Sequence, residues 1–246
     1  MPSAIAVPSR ESMSALRIGE PALLMSTSAS TFMASRRKES PVGTVTHATR
    51  AWDFLVLSSP GVAGYGSGHV YIAVSLDNAI KDWNASTQTL STLVSSGLRG
   101  PAGLALDASG NVYFADYNNN AIKEWHAATQ TVSTLVSAGL NKPAGVALDG
   151  SGNVYIADTS NNAIKRWDAS TQQVTTLVSA GLSSPQGVAV DVYGNVYIAD
   201  TGNAAIKMWN PAAQPPAVTT LVSSGLSVPT DVAVDAAGNV YISDAQ

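Results

Sequence analysis

A repeat with a period of 42 residues runs through most of this 246-residue chain. A tyrosine, a tryptophan and a proline each recur once per period. The markers are Tyr71, Tyr113, Tyr155, Tyr197 and Tyr241; Trp83, Trp125, Trp167 and Trp209; and Pro101, Pro143, Pro185 and Pro229. Residues 100–141 and 142–183 are identical at 30 of 42 positions, so both must adopt the same structure. Each unit is therefore predicted to be a supersecondary element that stacks on its own copies.

One unit, residues 142–183, contains four short segments rich in Val, Ile, Tyr, Trp and Thr, the residue types that favour strands. The predicted strands are Gly145–Asp149, Val154–Asp158, Ala163–Trp167 and Val174–Val178. Gly, Asn, Asp and Ser fill the gaps, as tight turns require. The first two segments are almost continuously apolar, which predicts burial on both faces. Four antiparallel strands in about 40 residues are typical of a β-propeller blade, so we predict an all-β propeller.

The segment Pro185–Ile206, PQGVAVDVYGNVYIADTGNAAI, has close copies at 101–122 and 143–164. These segments resemble the NHL repeat, and the resemblance covers roughly residues 60–246. It implies a β-propeller, a fold that in this family serves as a binding platform, an RNA reader, an enzyme or an extracellular sensor. Many NHL repeats carry arginine just after an Asn-Asn pair, and its absence here argues against RNA recognition. Alanine occupies that position four times, at Ala79, Ala121, Ala163 and Ala205.

Full units cover 100–141, 142–183 and 184–227, and a degenerate unit covers about 59–99. A fifth begins at Val228 and holds only two predicted strands. We predict a five-bladed ring in which residues 42–58 supply the strands that complete the last blade. A fragment of a six-bladed propeller is the alternative. A closed ring predicts a monomer, and an open one predicts self-association. Residues 1–41 lack the repeat and are predicted to be a disordered or non-native segment before a propeller of residues 42–246.

Charged residues make up 12% of the chain, about half of the ~25% usual in soluble domains. Residues 60–246 hold 7 Lys and Arg against 13 Asp and Glu, a net charge of −6 that disfavours nucleic acid as a partner. The absence of cysteine excludes disulfides and thiolate metal sites. No apolar run approaches the ~18 to 20 residues of a membrane span. The composition favours an extracellular or cell-surface protein, although no signal peptide is recognisable.

Aspartates end the predicted second strands at Asp116, Asp158, Asp200 and Asp244, and the first three are the candidates for ligand binding. They fall on the face formed by the loops between strands two and three and by the connectors between blades, where propellers usually bind ligands. A ring of carboxylates there can coordinate Ca²⁺, because this cation prefers oxygen ligands. Alternatively, each aspartate stabilises a turn within its own blade. The sequence therefore predicts no cofactor, with Ca²⁺ at this ring as the open alternative.

Five further positions on the same predicted face break the repeat. Tyr117 and Asn118 replace Thr and Ser or Gly in the loop between strands two and three. Arg99, Asn141 and Lys142 vary in the connectors. Residues present in every blade usually serve the blade, whereas function more often depends on what breaks the repeat. These five residues and the three aspartates are the candidate ligand-binding residues.

A lysine lies two residues before each tryptophan, on the same side of the third strand. We expect its aliphatic part to pack over the indole. The four are Lys81, Lys123, Lys165 and Lys207.

No catalytic residue is predicted, because the chain lacks a Gly-x-Ser-x-Gly elbow, a His-Glu-x-x-His motif and a phosphate-binding glycine loop. Its histidines, His47, His69 and His126, lie at unrelated repeat positions. The sequence therefore indicates a non-enzymatic binding or scaffold module with a protein or glycan partner. A metal-dependent hydrolase, lactonase or lyase, with Ca²⁺ as the metal, and an RNA-binding domain are the alternatives.

Overall fold

The computed structural model describes residues 61–65 and 68–245. These residues form four antiparallel four-stranded sheets and one two-stranded sheet, joined by turns and three single 3-10 turns. Within these residues, no helix has the length and apolar character required to cross a membrane. The predicted all-β fold with four-stranded blades is thus confirmed.

The strands follow the repeat blade by blade. The first blade comprises β1 (Gly61–Tyr65), β2 (His69–Val74), β3 (Ala79–Asn84) and β4 (Thr89–Val94). The second comprises β5 (Pro101–Leu106), β6 (Val112–Asp116), β7 (Ala121–His126) and β8 (Thr131–Val136). The third comprises β9 (Pro143–Leu148), β10 (Val154–Asp158), β11 (Ala163–Trp167) and β12 (Val174–Val178). The fourth comprises β13 (Pro185–Val190), β14 (Val196–Asp200), β15 (Ala205–Asn210) and β16 (Ala217–Val222), and β17 (Pro229–Val234) and β18 (Val240–Asp244) form the last sheet.

The strands predicted for the third blade are confirmed for β10, β11 and β12. The first strand differs, since β9 begins at Pro143 and ends at Leu148 instead of covering Gly145–Asp149. Pro143 pairs with Asp158 after a register shift in the β9–β10 ladder. Proline fits there because the first residue of an edge strand can do without a donor on one side.

The apolar core lies between the blades. The innermost strands pack in sequence, β1 on β5, β5 on β9, β9 on β13 and β13 on β17. A Cβ added to Gly103 on β5 would lie 2.7 Å from the carbonyl oxygen of Ala144 and 3.0 Å from the Cα of Gly145. Glycine therefore permits this close approach of neighbouring inner strands. Farther out, Tyr113 of the second blade packs with Val154 and Trp167 of the third in one buried cluster.

The last sheet is less covered than the others. Tyr241 on β18 is 47% exposed, whereas the equivalent Tyr155 on β10 is 4% exposed. No third strand pairs with β18 among the residues that the structure describes. The predicted closing strands within 42–58 and the N-terminal segment 1–41 lie outside those residues, so the number of blades stays a prediction.

Turns between strands one and two contain an aspartate that binds its own turn. In the third blade, Asp149 Oδ1 accepts the N–H groups of Ser151 at 2.9 Å and Asn153 at 3.0 Å, and Oδ2 accepts the Asn153 amide at 2.8 Å. The Tyr155 hydroxyl donates to the same carboxylate at 3.2 Å. Burial and this neighbouring negative charge raise the pKa of Tyr155. Asp107, Asp191 and Asp235 make the same turn contacts in their blades.

Candidate functional site on the connector face

The connector face is defined here by the loops 117–120, 159–162 and 201–204 and the connectors between blades. Each loop begins with a 3-10 turn and lies against the connector that enters its own blade. The Asn118 N–H donates to the carbonyl oxygen of Arg99 at 3.0 Å, and the Ser160 N–H donates to that of Asn141 at 3.1 Å. Loop and connector are therefore held together through the backbone, which positions their side chains on one surface.

Beneath this surface, Asp158 is fully buried at the end of β10. Its Oδ2 lies 2.7 Å from Lys165 Nζ and accepts the Asn161 amide at 2.8 Å. Its Oδ1 accepts the Asn141 N–H at 2.7 Å. Lys165 also donates to the carbonyl oxygen of Gly139 in the connector. One buried ion pair thus joins strand two, strand three, the loop and the connector.

The same arrangement occurs in the second and fourth blades. Asp116 and Asp200 are fully buried, and each lies 2.6 Å from a lysine of the following strand, Lys123 or Lys207. All three carboxylates therefore have a cation and several donors within their own blade. Among the described residues, no three His, Asp or Glu side chains are grouped so as to hold a metal ion. These contacts favour the alternative in which each aspartate serves its blade, and Ca²⁺ binding stays a prediction.

The sequence pattern did not reveal the anionic partner of the lysines. The ammonium of Lys165 lies at the buried carboxylate of strand two, and the packing of its aliphatic part over the indole stays a prediction. The first blade shows that the partner of the lysine depends on this aspartate. Val74 replaces the aspartate there, and Lys81 pairs with Asp77 at 2.8 Å instead. The co-occurrence of Val74 and Asp77 is the sequence signal that could have revealed the ion pair.

The five repeat-breaking candidates gather around the loop 117–120. The side chains of Arg99, Asn118, Asn141 and Lys142 are exposed, and Tyr117 packs half-buried against the cluster between the second and third blades. The Lys142 N–H donates to the Asn120 side-chain oxygen at 2.8 Å. Since Asn118 contacts Arg99 through its backbone, this one loop joins the connectors of two adjacent blades.

Sequence reasoning missed Asp231, which is 7% exposed on the inner strand β17. Glycine occupies the equivalent positions, Gly103, Gly145 and Gly187. The Asp231 Oδ1 accepts the N–H of Val232 at 2.9 Å. The replacement of this glycine by aspartate in the last sheet is the sequence signal that could have identified the position.

The two described histidines belong to contacts within a blade. His69 Nδ1 lies 2.9 Å from the Asp82 carboxylate. His126 Nδ1 lies 3.2 Å from Glu124, and its Nε2 lies 2.9 Å from Ser133 Oγ on β8. Burial and the adjacent Glu124 raise the pKa of Tyr113. The contacts of His69 lie within the first blade and those of His126 within the second, and both sets lie away from the connector face.

Comparison with solved structures supports the fold. A chain of a nidogen/laminin complex aligns with a TM-score of 0.64 at 22% identity, covering 72% of this chain and 70% of that one. Virginiamycin B lyase from Staphylococcus aureus aligns with a TM-score of 0.64 at 14% identity, covering 76% of this chain and 63% of the lyase. A gluconolactonase from Xanthomonas campestris aligns with a TM-score of 0.66 at 17% identity, covering 76% and 69%. These identities establish likeness of fold alone.

Comparison at the level of sequence identifies the repeat. A search of curated proteins gives no match. Residues 140–167 and 182–207 match the NHL repeat, and both segments run through the first and second strands and the loop of the connector face into the third strand. Two segments of this chain thus match the NHL repeat, and they lie in four-stranded antiparallel sheets like the blades of a β-propeller.

Proposed function

We propose that this protein is a non-enzymatic binding module that presents the connector face of its second and third blades to a protein or glycan partner. The observation that carries the proposal is the convergence of exposed, repeat-breaking side chains around the loop 117–120. The exposed residues of this surface are Arg99, Asn118, Asn141 and Lys142. The equivalent positions of the fourth blade hold only Ser183, Gly202 and Ser184, so the surface is particular to two blades.

The buried ion pairs beneath this surface support a binding role. In the second, third and fourth blades the connector and loop are tied to a buried Asp–Lys pair, as Asn141 and Asn161 are tied to Asp158. A surface held in this way loses little conformational entropy when a ligand binds, which favours affinity. One aligned structure is described as a nidogen/laminin complex, so this fold is compatible with a protein partner.

The proposal is tested by giving the second-blade loop the residues that the third-blade loop has at the same positions. Tyr117→Thr with Asn118→Ser converts the second-blade loop to the Thr159–Ser160 sequence of the third. The native chain and this variant are applied to a printed glycan array and an array of purified proteins. We expect at least one ligand that the variant binds about tenfold more weakly, a loss of about 1.4 kcal/mol.

A matched control changes the opposite face. Val192→Gly with Tyr193→Ser gives the fourth blade the turn sequence of Gly150–Ser151, and it should leave binding unchanged. The proposal is wrong if no ligand on either array depends on the loop 117–120, or if the control variant loses binding to the same extent.

Addition of Ca²⁺ tests the enzymatic alternative. A cation present at 100 times its Kd would stabilise the protein by ~2.7 kcal/mol. We expect equal melting temperatures with millimolar Ca²⁺ and with a chelator, because Asp116, Asp158 and Asp200 are already paired with lysines. Stabilisation by Ca²⁺ that is lost on Asp200→Asn substitution would instead support a metal-dependent hydrolase, lactonase or lyase.

A further inference from the structure

We propose that the connector face of the second and third blades binds an acidic glycan, whose uronate carboxylates are recognised by Arg99 and Lys142. This inference rests on the proposed function and specifies the chemistry of its ligand. It follows from the charges that the fold neutralises and from those that it leaves exposed.

Arg99 and Lys142 differ from the other described lysines and arginines in their ion pairing. The described residues contain seven Lys and Arg side chains. Lys81, Lys123, Lys165, Arg166 and Lys207 each lie within 3.1 Å of a carboxylate oxygen. Within the same described stretch, Arg99 and Lys142 have no carboxylate at ion-pairing distance, and both are exposed. In a chain with few charges, two such cations beside one loop form a local site for an anion.

The backbone brings the two cations to the same place. Arg99 belongs to the connector that enters the second blade, and Lys142 to the connector that enters the third. Asn118 donates to the Arg99 carbonyl at 3.0 Å, and Asn120 accepts from the Lys142 N–H at 2.8 Å. The two connectors that carry these cations therefore flank a single four-residue loop.

The carboxylates near these two cations are already neutralised, and others lie on the opposite face. Asp107, Asp149, Asp191 and Asp235 occupy the turns of the opposite face, at the other end of the strands. On the connector face, Asp116 and Asp158 are buried and paired with lysines, and the exposed Asp77 of the first blade is paired with Lys81 at 2.8 Å. The face is thus locally positive on a molecule of negative net charge, which favours an approaching anion and its orientation.

The uncharged side chains indicate a glycan. Asn118 and Asn141 offer amides, which both donate to and accept from sugar hydroxyls. Arg99 can donate two parallel hydrogen bonds to one carboxylate. A protein interface normally has an apolar centre. Of the most exposed large apolar residues, Val192 and Tyr193 lie on the opposite face, and Leu76 lies in the first-blade loop, where Asn118 takes its place in the second blade. The patch therefore suits a hydroxyl-rich anion better than an acidic segment of a protein.

The test compares polygalacturonate with its fully methyl-esterified form, which has the same sugar backbone without the charges. Binding to the purified protein is measured by titration calorimetry at low salt. We expect the acidic form to bind and the methyl ester to bind at least about tenfold more weakly. Arg99→Ser and Lys142→Ser, which install the residues found at Ser183 and Ser184, should each weaken binding about tenfold.

The substitutions are chosen to preserve the backbone conformation, and a control variant accounts for the change in net charge. Ser184 has a φ of 47° and Lys142 a φ of 50°, so the serine is already tolerated in this left-handed conformation in another blade. Arg166→Met, which copies Met208 of the fourth blade, removes one positive charge away from the face and should leave binding unchanged. Equal melting temperatures of Arg99→Ser, Lys142→Ser and the native chain show that the substitutions leave the fold intact.

Three outcomes overturn the inference. Equal weakening by Arg166→Met would mean that only net charge matters. Equal affinity for the methyl ester would mean recognition of a neutral glycan, which leaves the proposed function intact. Displacement of polygalacturonate by lower concentrations of a deca-glutamate peptide or an RNA oligonucleotide would identify a different class of partner. Failure of polygalacturonate together with the absence of any loop-dependent ligand on the arrays would refute the proposed function as well.

Discussion

Replacement of Asp158 with valine is expected to lower the free energy of unfolding by about 3 to 5 kcal/mol, the usual effect of removing one partner of a buried ion pair. The carboxylate is fully buried, and its loss leaves Lys165 without its anionic partner and the Asn141 N–H without its acceptor. The lysine side chain is itself only 14% exposed, so water cannot fully replace the lost partner. Chemical unfolding followed by circular dichroism measures the change.

The first blade provides a compensating substitution. It has Val74 where the other blades have aspartate, and Asp77 pairs with Lys81. Asn161 is the residue of the third blade that corresponds to Asp77. Adding Asn161→Asp to Asp158→Val should restore about 1 kcal/mol, the worth of a partly exposed pair. A loss below ~1 kcal/mol in Asp158→Val, or no recovery in the double variant, would contradict the role assigned to the ion pair.

Replacement of Trp167 with alanine is expected to lower the free energy of unfolding by ~3 to 5 kcal/mol, as for other large core aromatics. Trp167 is 8% exposed and packs with Val146 and Val154 and with Tyr113 of the preceding blade. Its removal opens a cavity at the contact between two blades. The measurement is the same chemical unfolding experiment.

Two variants separate packing from other contributions. The indole N–H of Trp167 has no hydrogen-bond partner, so Trp167→Phe loses no hydrogen bond and should cost only about 1 kcal/mol. Trp209 occupies the equivalent position of the fourth blade but is only partly buried, so Trp209→Ala should cost less than Trp167→Ala. A cost below ~1 kcal/mol for Trp167→Ala would mean that this face of β11 contributes little to the core.

Most of the fold could be predicted because its determinants are local and repeated. The apolar segment Val154–Asp158 and the turn residues before it recur in each blade, and β10 has the predicted bounds. The position of β9 was less accurate, because the pairing of Pro143 follows a register shift that no residue pattern specifies. The placement of Asn118 and Lys142 on one face followed from strand direction alone.

The candidate site was predicted only in outline. Asp116, Asp158 and Asp200 were identified as a possible ring, but their lysine partners were not, because Lys165 can extend toward either end of its strand. Asp231 was missed, since its significance depends on the close approach of inner strands. The comparison of blades could nevertheless have revealed it as a departure from glycine.

The sequence by itself determined the repeat, the strands, the turn aspartates such as Asp149 and the positions at which blades differ. These features depend on hydrogen bonds and side-chain alternation within a few residues. Only the tertiary structure decided which charges are neutralised, which is why Lys165 is buried against Asp158 while Lys142 stays exposed. The ion pair depends on the distances between adjacent strands, the loop and the connector of one blade, and the burial of Asp158 depends on how the blades pack together. Both are set by the tertiary structure and not by residues close in sequence.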